Sequence, residues 1–496
     1  VETGAAEQQA RSAFADAGID PGRVEFIRGD LWSMWTRDWG PQAVFDGDGE
    51  LAYADPWFDG YPWVPGCEDG PVMRIGDRRR GRGYEEDDAL PAVVAAHLDV
   101  PLAPLPAYLT GGNVMTDGLG IAWSTRQMLA ENAPYLDEDA FRAQAAAVMG
   151  IGDYRLVIDP EVHGIQHIDC YAKLLDEETV LVKEVPAWHP EAACCDDVAA
   201  AFAGALTCYG RPYEVVRIFC DVYEGSSAAA YTNSLILNGK VLVPMFGIEA
   251  DHAALATYQD AMPGYEVLGF PYGGWYDYDA LHCRTMGLFD PGMLRLLHAP
   301  VDPVQPAGSE VAVAAWCDDR SGAGLDGPPL VRWRLAGEVA WSEVALASVD
   351  ADSFVGAIPA QPAGAEVEYQ LVARDLSGRL ARLPRGDGSA VFAFTADAAL
   401  SAPVRPSALA LTAAPNPFNP RTELRLTVPA ASRCRLEIVD LRGRRIRTLV
   451  DGVAPRGGRV AWDGADHAGR AQPSGVYLAV LEVEGRRTSL RLVLQR

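Results

Sequence analysis

The chain has 496 residues, of which 49% are hydrophobic and 22% are charged. This is the composition of a globular protein, and the length exceeds what one hydrophobic core supports, so we expect two to four domains. The sequence contains no apolar run of about 18 residues or more, and we therefore predict no membrane-spanning helix.

The formal net charge of −26 is unevenly distributed. Residues 398–496 hold 16 Arg, no Lys and 8 Asp+Glu, so this part carries +8 and the rest carries −34. An acidic body argues against nucleic acid as a partner and is compatible with a cationic substrate. The same charge is equally compatible with a role in solubility alone.

Nine cysteines, an odd number, occur without a CxxC pair of the metal-binding kind. They do not form a disulfide framework, and the adjacent Cys194 and Cys195 cannot easily bridge each other. The sequence allows one or two disulfide bonds among Cys67, Cys194, Cys195, Cys208 and Cys220. The chain starts without Met or a basic and then apolar leader, and we expect that any targeting segment has been removed or left out.

In chain order, residues 5–17 predict an Ala-rich helix, residues 24–27 a strand, and residues 43–53 a β-hairpin. Similar hairpins recur at residues 111–123, 167–182 and 231–243, and Asp-Gly and Asn-Gly turns supply the positive φ angles of type I′ turns. Helical runs at 89–98, 138–149, 196–206 and 250–262 are followed by strands at 100–105, 154–158, 213–219 and 265–270.

These segments form a repeating unit of strand, hairpin and helix, roughly 60 residues long. One unit alone cannot bury its sheet, so the units should pack around a common axis. With Cys283 beginning the last set of strands, we count five units. Polar residues lie at the start of the hairpin strand in each unit and should converge at one end of the axis: Asp38, Asn113, His167 with Asp169, Asn233 and Cys283.

After about residue 299 the pattern changes to short alternating strands. Residues 301–306 read as a linker, and residues 310–396 predict a β-sandwich with Gly/Pro turns. Residues 398–406 form a second Pro-containing link, and residues 408–496 predict a second sandwich. The expected domains are therefore 1–300, 301–397 and 398–496.

Asp38 and Asp169 are carboxylates at equivalent positions of different units. Such a pair needs a cation between its members, or one member takes up a proton. A planar guanidinium with its fork of donors fits two carboxylates well. A metal ion is the rival partner, but one His, two Asp, one Asn and one Cys match no common set of metal ligands.

Cys283 is the candidate nucleophile, although a lone cysteine beside a histidine is more often a packed core thiol. His167 and Asp169 are two residues apart on a predicted strand and should face the same side, whereas His282 should face away from Cys283. Seen alone, His167 and Asp169 are typical of a structural pair that satisfies its own hydrogen bonds. Together the set describes attack of a thiolate on a guanidinium carbon, with a histidine that protonates the leaving ammonia and then activates water.

The motifs stand in the order WTRDWGP at 35–41, GGN at 111–113, HID at 167–169, Asn233 and HCRT at 282–285. On these motifs, residues 5–298 resemble the bacterial peptidylarginine deiminase and agmatine deiminase family of the guanidine-modifying superfamily. The resemblance implies a five-bladed α/β propeller (the pentein fold) with no catalytic metal and no cofactor. It also implies site roles: Cys283 as nucleophile, His167 as general acid/base, Asp38 and Asp169 as guanidinium clamps, and Asn233 as a positioning residue.

For substrate binding, the resemblance implies that Trp35 flanks the arginine stem and that Asn113 lines the site. Arg80 and Arg82 precede an acidic run and are similar to an Arg-x-Arg stretch that binds a peptide's C-terminal carboxylate in the peptidylarginine branch. The alternative is a solvated loop of mixed charge. The family usually has a strand before the first helix, and we expect this chain to start inside the first unit.

The C-terminal region resembles FlgD-like and type IX sorting-signal Ig-like modules. The resemblance rests on APNPFNP at 414–420, IVDLRGR at 438–444, AWDG at 461–464 and SGVY at 474–477. It implies export, with sorting machinery at the cell surface as a partner of residues 398–496. The alternative is a structural sandwich without a sorting role.

The leading hypothesis is a secreted or surface-attached peptidylarginine deiminase that converts arginine, at the C-terminus of peptides, to citrulline and ammonia. An agmatine or other small-guanidine deiminase is the alternative enzyme. A catalytically silent propeller that serves as a binding scaffold is the alternative of another class. Nucleic acid and a membrane span are not expected.

Overall fold

The computed structural model of the protein describes residues 4–46, 49–60, 84–133, 135–160, 165–276, 278–349, 351–398, 410–416, 418–427, 433–440, 444–453, 458–483 and 486–495. The chain forms two compact units. The first consists of Val1–Leu206, Pro212–Ala261 and Val267–Phe289, and the second of Thr207–Arg211, Met262–Glu266 and Asp290–Arg496.

The α-helices of the first unit are α1 (Gly4–Asp16), α2 (Thr36–Trp39), α3 (Tyr84–Leu98), α4 (Gln127–Asn132), α5 (Glu138–Val148), α6 (Ala192–Ala203) and α7 (Ala250–Ala261). One-turn 3₁₀ helices cover Pro21–Arg23, Gly111–Asn113 and Ile168–Cys170. The five predicted long helices are confirmed, with shifted ends. The strand predicted at 24–27 is wrong, because these residues are extended without pairing in a described sheet.

Four sheets of the first unit share one strand order, in which a hairpin is followed by a third strand. Their strands are β1 (Gln42–Phe45), β2 (Leu51–Trp57) and β3 (Leu102–Tyr108); β4 (Met115–Thr116), β5 (Ile121–Thr125) and β6 (Asp153–Val157); β7 (Ala172–Leu174), β8 (Thr179–Glu184) and β9 (Glu214–Phe219); β12 (Leu235–Leu237), β13 (Lys240–Met245) and β14 (Glu266–Pro271). A small ribbon, β10 (Val222–Glu224) with β11 (Ser227–Ala228), lies between the last two sheets in the chain.

The hairpins are antiparallel, and in the first three sheets the middle strand pairs in parallel with the third strand. A middle strand of this kind is covered on both faces and reads as a continuous apolar run. All positions of β5 are buried, in agreement with this expectation. Asn238 and Gly239 have φ angles of 49° and 76°, as the predicted type I′ turn requires.

This strand order places the chain's polar motifs at one edge of the sheets. In the first three sheets the middle and third strands run in the same direction, so their C-terminal ends lie at one edge of each sheet. The chain leaves β3 and β6 at this edge before it reaches Asn113 and His167, and Cys283 follows β14 in the chain. Within the described residues, no sheet of this kind follows Cys283; the next strand, β15 (Leu294–Leu297), pairs with β17 (Val311–Asp319).

The second unit is built from strands. They are β15, β16 (Val304–Pro306), β17, β18 (Leu330–Leu335), β19 (Ser342–Ala345), β20 (Ala347–Ser348), β21 (Ser353–Ile358), β22 (Glu366–Arg374), β23 (Leu380–Leu383), β24 (Phe392–Asp397), β25 (Ala410–Ala414), β26 (Thr422–Thr427), β27 (Arg433–Asp440), β28 (Arg445–Val453), β29 (Arg459–Trp462), β30 (Gly475–Val483) and β31 (Arg486–Leu494).

Two hydrophobic cores lie within these strands, and each core is shared by two sheets. The first core joins β15-β17-β21-β20 to β16-β24-β22-β18-β19, with Val313 and Ile358 from one sheet and Val331 and Leu371 from the other. The second joins β25-β26-β29 to β28-β27-β30-β31. Alternation of buried and exposed residues along the strands produces these two-sheet cores.

Two further expectations concern the thiols and the membrane. Cys194 is disulfide-bonded, whereas Cys195, Cys208 and Cys220 are free thiols, and Cys67 lies outside the described residues. In the part of the chain that the structure describes, no helix is long and apolar enough to span a membrane.

Candidate active site

The predicted site residues lie in short helical turns before the hairpins, and not in the hairpin strands themselves. Asp38 belongs to α2, and Asn113 ends the 3₁₀ helix Gly111–Asn113. His167 is the N-cap of the helix Ile168–Cys170, which contains Asp169. The prediction that His167 and Asp169 share one face of a strand is therefore wrong, because this segment forms a tight turn.

Gly112 is the point at which three of these side chains meet. Its N–H donates a hydrogen bond of 3.0 Å to Asp38 Oδ1. A Cβ atom built on Gly112 would lie 2.6 Å from Asp38 Oδ1, 2.8 Å from His167 Nδ1 and 3.3 Å from Asp169 Oδ2. The two carboxylates and the imidazole therefore converge on one glycine that has no side chain to separate them.

Cys283 lies in a turn and is fully buried. Asn233 Nδ2 donates to Cys283 Sγ at 3.1 Å, and Asn233 Oδ1 accepts from the N–H groups of Ala280 and Cys283 at 3.1 and 3.2 Å. One amide thus fixes both the thiol and the backbone that carries it. The Sγ atom is 3.6 Å from Asp169 Oδ2, so the thiol joins the group around Gly112.

His282 also reaches this group, contrary to the prediction that it faces away from Cys283. Its Nδ1 atom lies 2.6 Å from Asp169 Oδ2, the same oxygen that faces the thiol. The prediction assumed the alternation of side chains along a strand, but Leu281–Arg284 form a turn. The adjacent His-Cys pair at 282–283 is the sequence signal for this contact.

The site contains two cations that the sequence interpretation did not identify. The Arg37 N–H donates to the Cys283 carbonyl at 3.2 Å, and Arg37 Nε donates to the His282 carbonyl at 3.4 Å. Lys173 lies on β7, only four residues after Asp169, and is 7% exposed. A lysine inside the hairpin predicted at 167–182 was the signal for this second cation.

Burial dominates the electrostatics of the site. It raises the pKa of Asp169 to about 6, and the charges of Lys173 and Arg37 oppose this rise. Burial lowers the pKa of His167 to about 3. Burial also raises the pKa of the Cys283 thiol well above its usual value, with further contributions from nearby carboxylates, and the hydrogen bond from Asn233 opposes this rise.

The residues predicted to contact the substrate lie in different surroundings. Trp35 immediately precedes α2 and is partly buried. Asn113 is fully buried, and its Oδ1 atom accepts from the N–H groups of Thr125 and Ile168 at 3.0 and 3.2 Å, which ties the turn of His167 to β5. Arg80 and Arg82 lie outside the described residues.

The arrangement is suited to chemistry on a planar cation. Two buried carboxylates can accept hydrogen bonds from the two edges of a guanidinium, which leaves the faces of its plane open. Cys283 Sγ lies 3.6 Å from Oδ2 of one of these carboxylates, Asp169, so a guanidinium held by Asp169 would lie close to the thiol. Within the described ranges, no group of three or more His, Cys, Asp or Glu residues is arranged to hold a metal ion.

Comparisons with known proteins concern this same part of the chain. Residues 1–288 match the sequence profile described as Porphyromonas-type peptidyl-arginine deiminase. The chain is similar to the agmatine deiminase of Pseudomonas aeruginosa (strain LESB58), with 25% identity over 300 residues, 52% of this chain and 74% of that protein. The agmatine deiminase of Pseudomonas fluorescens (strain SBW25) is 23% identical over 288 residues, 52% of this chain and 74% of that protein. The solved structure of the agmatine deiminase of Enterococcus faecalis gives a TM-score of 0.46 at 18% identity, covering 55% of this chain and 80% of that chain.

Proposed function

The chain belongs to the Porphyromonas-type peptidyl-arginine deiminase family and is a hydrolase of guanidino C–N bonds, and we propose that it converts arginine in peptides to citrulline and ammonia. The observation that carries the proposal is the convergence of Asp38, His167 and Asp169 on Gly112, with the Cys283 thiol beside Asp169. This group supplies a clamp for the cation, a nucleophile and a group that transfers protons.

In the proposed reaction, Asp38 and Asp169 hold the guanidinium and the Cys283 thiolate attacks its central carbon. The thiol proton passes to His167, which then protonates the leaving amine, so that the C–N bond breaks and ammonia departs. This first half of the reaction leaves a thiouronium cation, in which the former guanidinium carbon is bonded to Cys283 Sγ. His167, now neutral, takes a proton from water as the water attacks the same carbon. The C–S bond breaks, the ureido product leaves, and the pair of Cys283 and His167 is restored, with the remaining proton released to solvent.

Asn233 supports this sequence of steps through its hydrogen bond to Sγ. A donor to sulfur stabilises the thiolate, and burial opposes it, so the donor offsets part of the cost of ionisation. Burial lowers the pKa of His167, so its imidazole is neutral in the free site and has a nitrogen lone pair for a proton, while the same burial makes the protonated form costly.

The substrate that we propose is a peptide. It is supported by the name of the matching family and by the Arg-x-Arg stretch at 80–82, which would pair with a C-terminal carboxylate. Agmatine is the second candidate substrate, because curated relatives carry the name agmatine deiminase. The family assignment and the complete set of site residues leave the non-catalytic scaffold without support.

The proposal includes the architecture and location of the chain. We assign residues 1–300 to a five-bladed propeller, 301–397 to an Ig-like sandwich and 398–496 to a FlgD-like Ig-like module that directs secretion or surface attachment. Four sheets with one strand order support the propeller, and two cores shared by paired sheets support the sandwiches. Fractionation of cells that express the chain with and without residues 398–496 tests the sorting role, and identical distributions would refute it.

A colorimetric assay for ureido products tests the activity. The panel consists of agmatine, free arginine, a peptide that ends in arginine and a peptide with internal arginine. We expect the fastest turnover with the peptide that ends in arginine, and no turnover after Cys283→Ser or His167→Ala. Faster turnover of agmatine would replace the peptide by the small guanidine, and activity in either variant would refute the mechanism.

A further inference from the structure

The loop between β14 and β15 carries Cys283, and none of its described residues belongs to a helix or a strand, so its shape depends on local contacts. Asn233 fixes the C-terminal half of this loop, because it accepts hydrogen bonds from the N–H groups of Ala280 and Cys283. The N-terminal half also reaches the sulfur, since the Tyr278 carbonyl oxygen lies 3.7 Å from Cys283 Sγ. A second anchor is needed to hold that carbonyl in place.

Arg284, the residue after Cys283, provides this anchor. Its Nη2 atom donates to Asp279 Oδ2 at 2.6 Å and to the Gly274 carbonyl at 3.0 Å, and its Nε atom lies 3.1 and 3.2 Å from the two Asp279 oxygens. A guanidinium that bonds one carboxylate through two nitrogens makes a strong and directional contact. Three aromatic rings surround the guanidinium carbon, with centroids 5.4, 5.1 and 6.0 Å away: Tyr272, Trp275 and Tyr276. One side chain thus ties the first half of the loop to the residue beside the nucleophile.

The same pair sets a charge beside the sulfur. Asp279 directly follows Tyr278 in the chain and is 1% exposed. Burial raises the pKa of Cys283, and the charges of nearby carboxylates, Asp279 among them, raise it further. Asp279 alone would therefore oppose formation of the thiolate, and a buried carboxylate without a partner is costly. Burial favours the neutral form of Arg284, but its hydrogen bond to Asp279 outweighs burial and raises its pKa, so the guanidinium stays charged and cancels the carboxylate.

We propose that Arg284 is a positioning residue for the Cys283 nucleophile: it ties the loop through the Asp279 carboxylate, and it cancels the negative charge that this tie places beside the thiolate. The inference rests on the proposed function, because it assigns a role within that reaction. The guanidinium contacts described above are with the loop and not with the sulfur, so Arg284 acts through Asp279 and the Tyr278 carbonyl. It transfers no proton in the reaction.

Substitutions of the two partners should shift the ionisation of Cys283 in opposite directions. Arg284→Met leaves the Asp279 charge uncancelled, so the pH midpoint for alkylation of Cys283 by iodoacetamide should rise by about one unit, equivalent to about tenfold less thiolate at neutral pH. Asp279→Asn leaves the cation alone, and the midpoint should fall. The double variant has the net charge of the wild type, so its midpoint should return to the wild-type value. Damage to packing alone would shift all three variants alike.

Turnover tests the tie. Arg284→Met should lower kcat at neutral pH by about tenfold or more, and KM should change little because the clamp of Asp38 and Asp169 keeps its groups. The double variant should regain the thiolate and yet remain slower than the wild type, by roughly 3- to 10-fold, because the loop has lost its tie. Arg284→Lys keeps the charge, and it should retain the wild-type midpoint.

The test uses the full chain, a guanidine that the wild type turns over, and mass spectrometry to assign alkylation to Cys283. Arg155→Met is the matched control. Arg155 pairs with Asp153 Oδ2 at 2.7 Å, its side chain is 16% exposed like that of Arg284, and its guanidinium carbon lies 5.1 Å from the centroid of the Trp123 ring. This variant should lower the melting temperature and leave kcat, KM and the midpoint unchanged. If Arg284→Met does not fold, Arg284→Gln provides the neutral variant.

An unchanged midpoint in Arg284→Met, or a double variant whose midpoint stays with that of Arg284→Met, would overturn the inference. A double variant with the full wild-type kcat would also overturn it, because the tie would then be dispensable. If the wild type turns over no guanidine, the proposed function fails by itself. The midpoints of the wild type, the two single variants and the double variant then still decide whether Arg284 cancels a charge beside the thiolate.

Discussion

Replacement of Gly112 by alanine tests whether convergence of three side chains on one glycine sets the activity. Gly112 lacks the positive φ that would strain an alanine backbone, so the effect should come from the added methyl group. That methyl would lie 2.6 Å from Asp38 Oδ1 and 2.8 Å from His167 Nδ1. The hydrogen bond from the Gly112 N–H to Asp38 also resists a shift of the carboxylate.

The geometry gives an expected magnitude. An ordinary contact begins at 3.4 Å, so Asp38 Oδ1 must retreat by about 0.8 Å and His167 Nδ1 by about 0.6 Å, and displacements near 1 Å can cost about 100-fold in rate. We therefore expect kcat/KM to fall by about 100-fold, which corresponds to about 2.7 kcal/mol of lost transition-state stabilisation. Overpacking should cost roughly 1–3 kcal/mol of stability and lower the melting temperature by several degrees.

Steady-state kinetics and thermal unfolding of purified Gly112→Ala give both quantities. Gly273→Ala is the matched control, because a Cβ atom there meets nothing within 4 Å, and it should retain activity. Gly111→Ala provides the contrast, since its Cβ atom would lie 2.0 Å from the Arg37 carbonyl, which is backbone and cannot swing away. It should lose more stability than Gly112→Ala. Retention of half or more of the activity in Gly112→Ala would refute the convergence argument.

Three further predictions concern the groups around the thiol. Protonation of Asp169, whose pKa burial raises to about 6, removes one clamp, so kcat/KM should fall about tenfold per pH unit below that value; an acid limb near the ordinary aspartate pKa would contradict this. His282→Ala should raise KM several-fold, by roughly 3- to 10-fold, because Asp169 loses a donor 2.6 Å away. The amide of His282→Asn should restore most of the affinity, and equal defects in the two variants would exclude a hydrogen-bonding role. Asn233→Ala should raise the pH midpoint for alkylation of Cys283 by about one unit, since the thiolate loses its donor; an unchanged midpoint would show that this donor does not stabilise the sulfur.

The sequence was sufficient for the repeating plan of the first unit. The local signals are apolar middle strands, Asn-Gly and Asp-Gly turns and alternating helical runs. The structure contains four sheets with one strand order, in agreement with these signals. Local signals also placed Asp38, His167, Asp169 and Cys283 at equivalent positions of the repeat. Their common position predicts convergence, because equivalent positions of units that pack around a common axis lie at one end of that axis.

The wrong predictions of side-chain direction in the site have one physical cause. They assume that side chains alternate between two faces, as they do along a strand, at residues that do not form a strand. Alternation along a strand places His282 on the side opposite Cys283, although a turn lets consecutive side chains reach the same carboxylate. His167 and Asp169 were placed on a strand and are held by a one-turn helix instead. A short helix was not predictable there, because three residues carry too little periodicity to distinguish it from an extended segment.

The cations were missed for a different reason, because their significance lies in the sum of charges and not in any motif. Arg37 stood inside a recognised motif and Lys173 on a recognised strand, yet neither position indicates how many negative charges surround it. Only the folded chain shows Arg37 donating to the carbonyls of Cys283 and His282 and Lys173 buried on β7. A buried site that must hold a cationic substrate and a thiolate together needs its charges balanced for the second as well as the first.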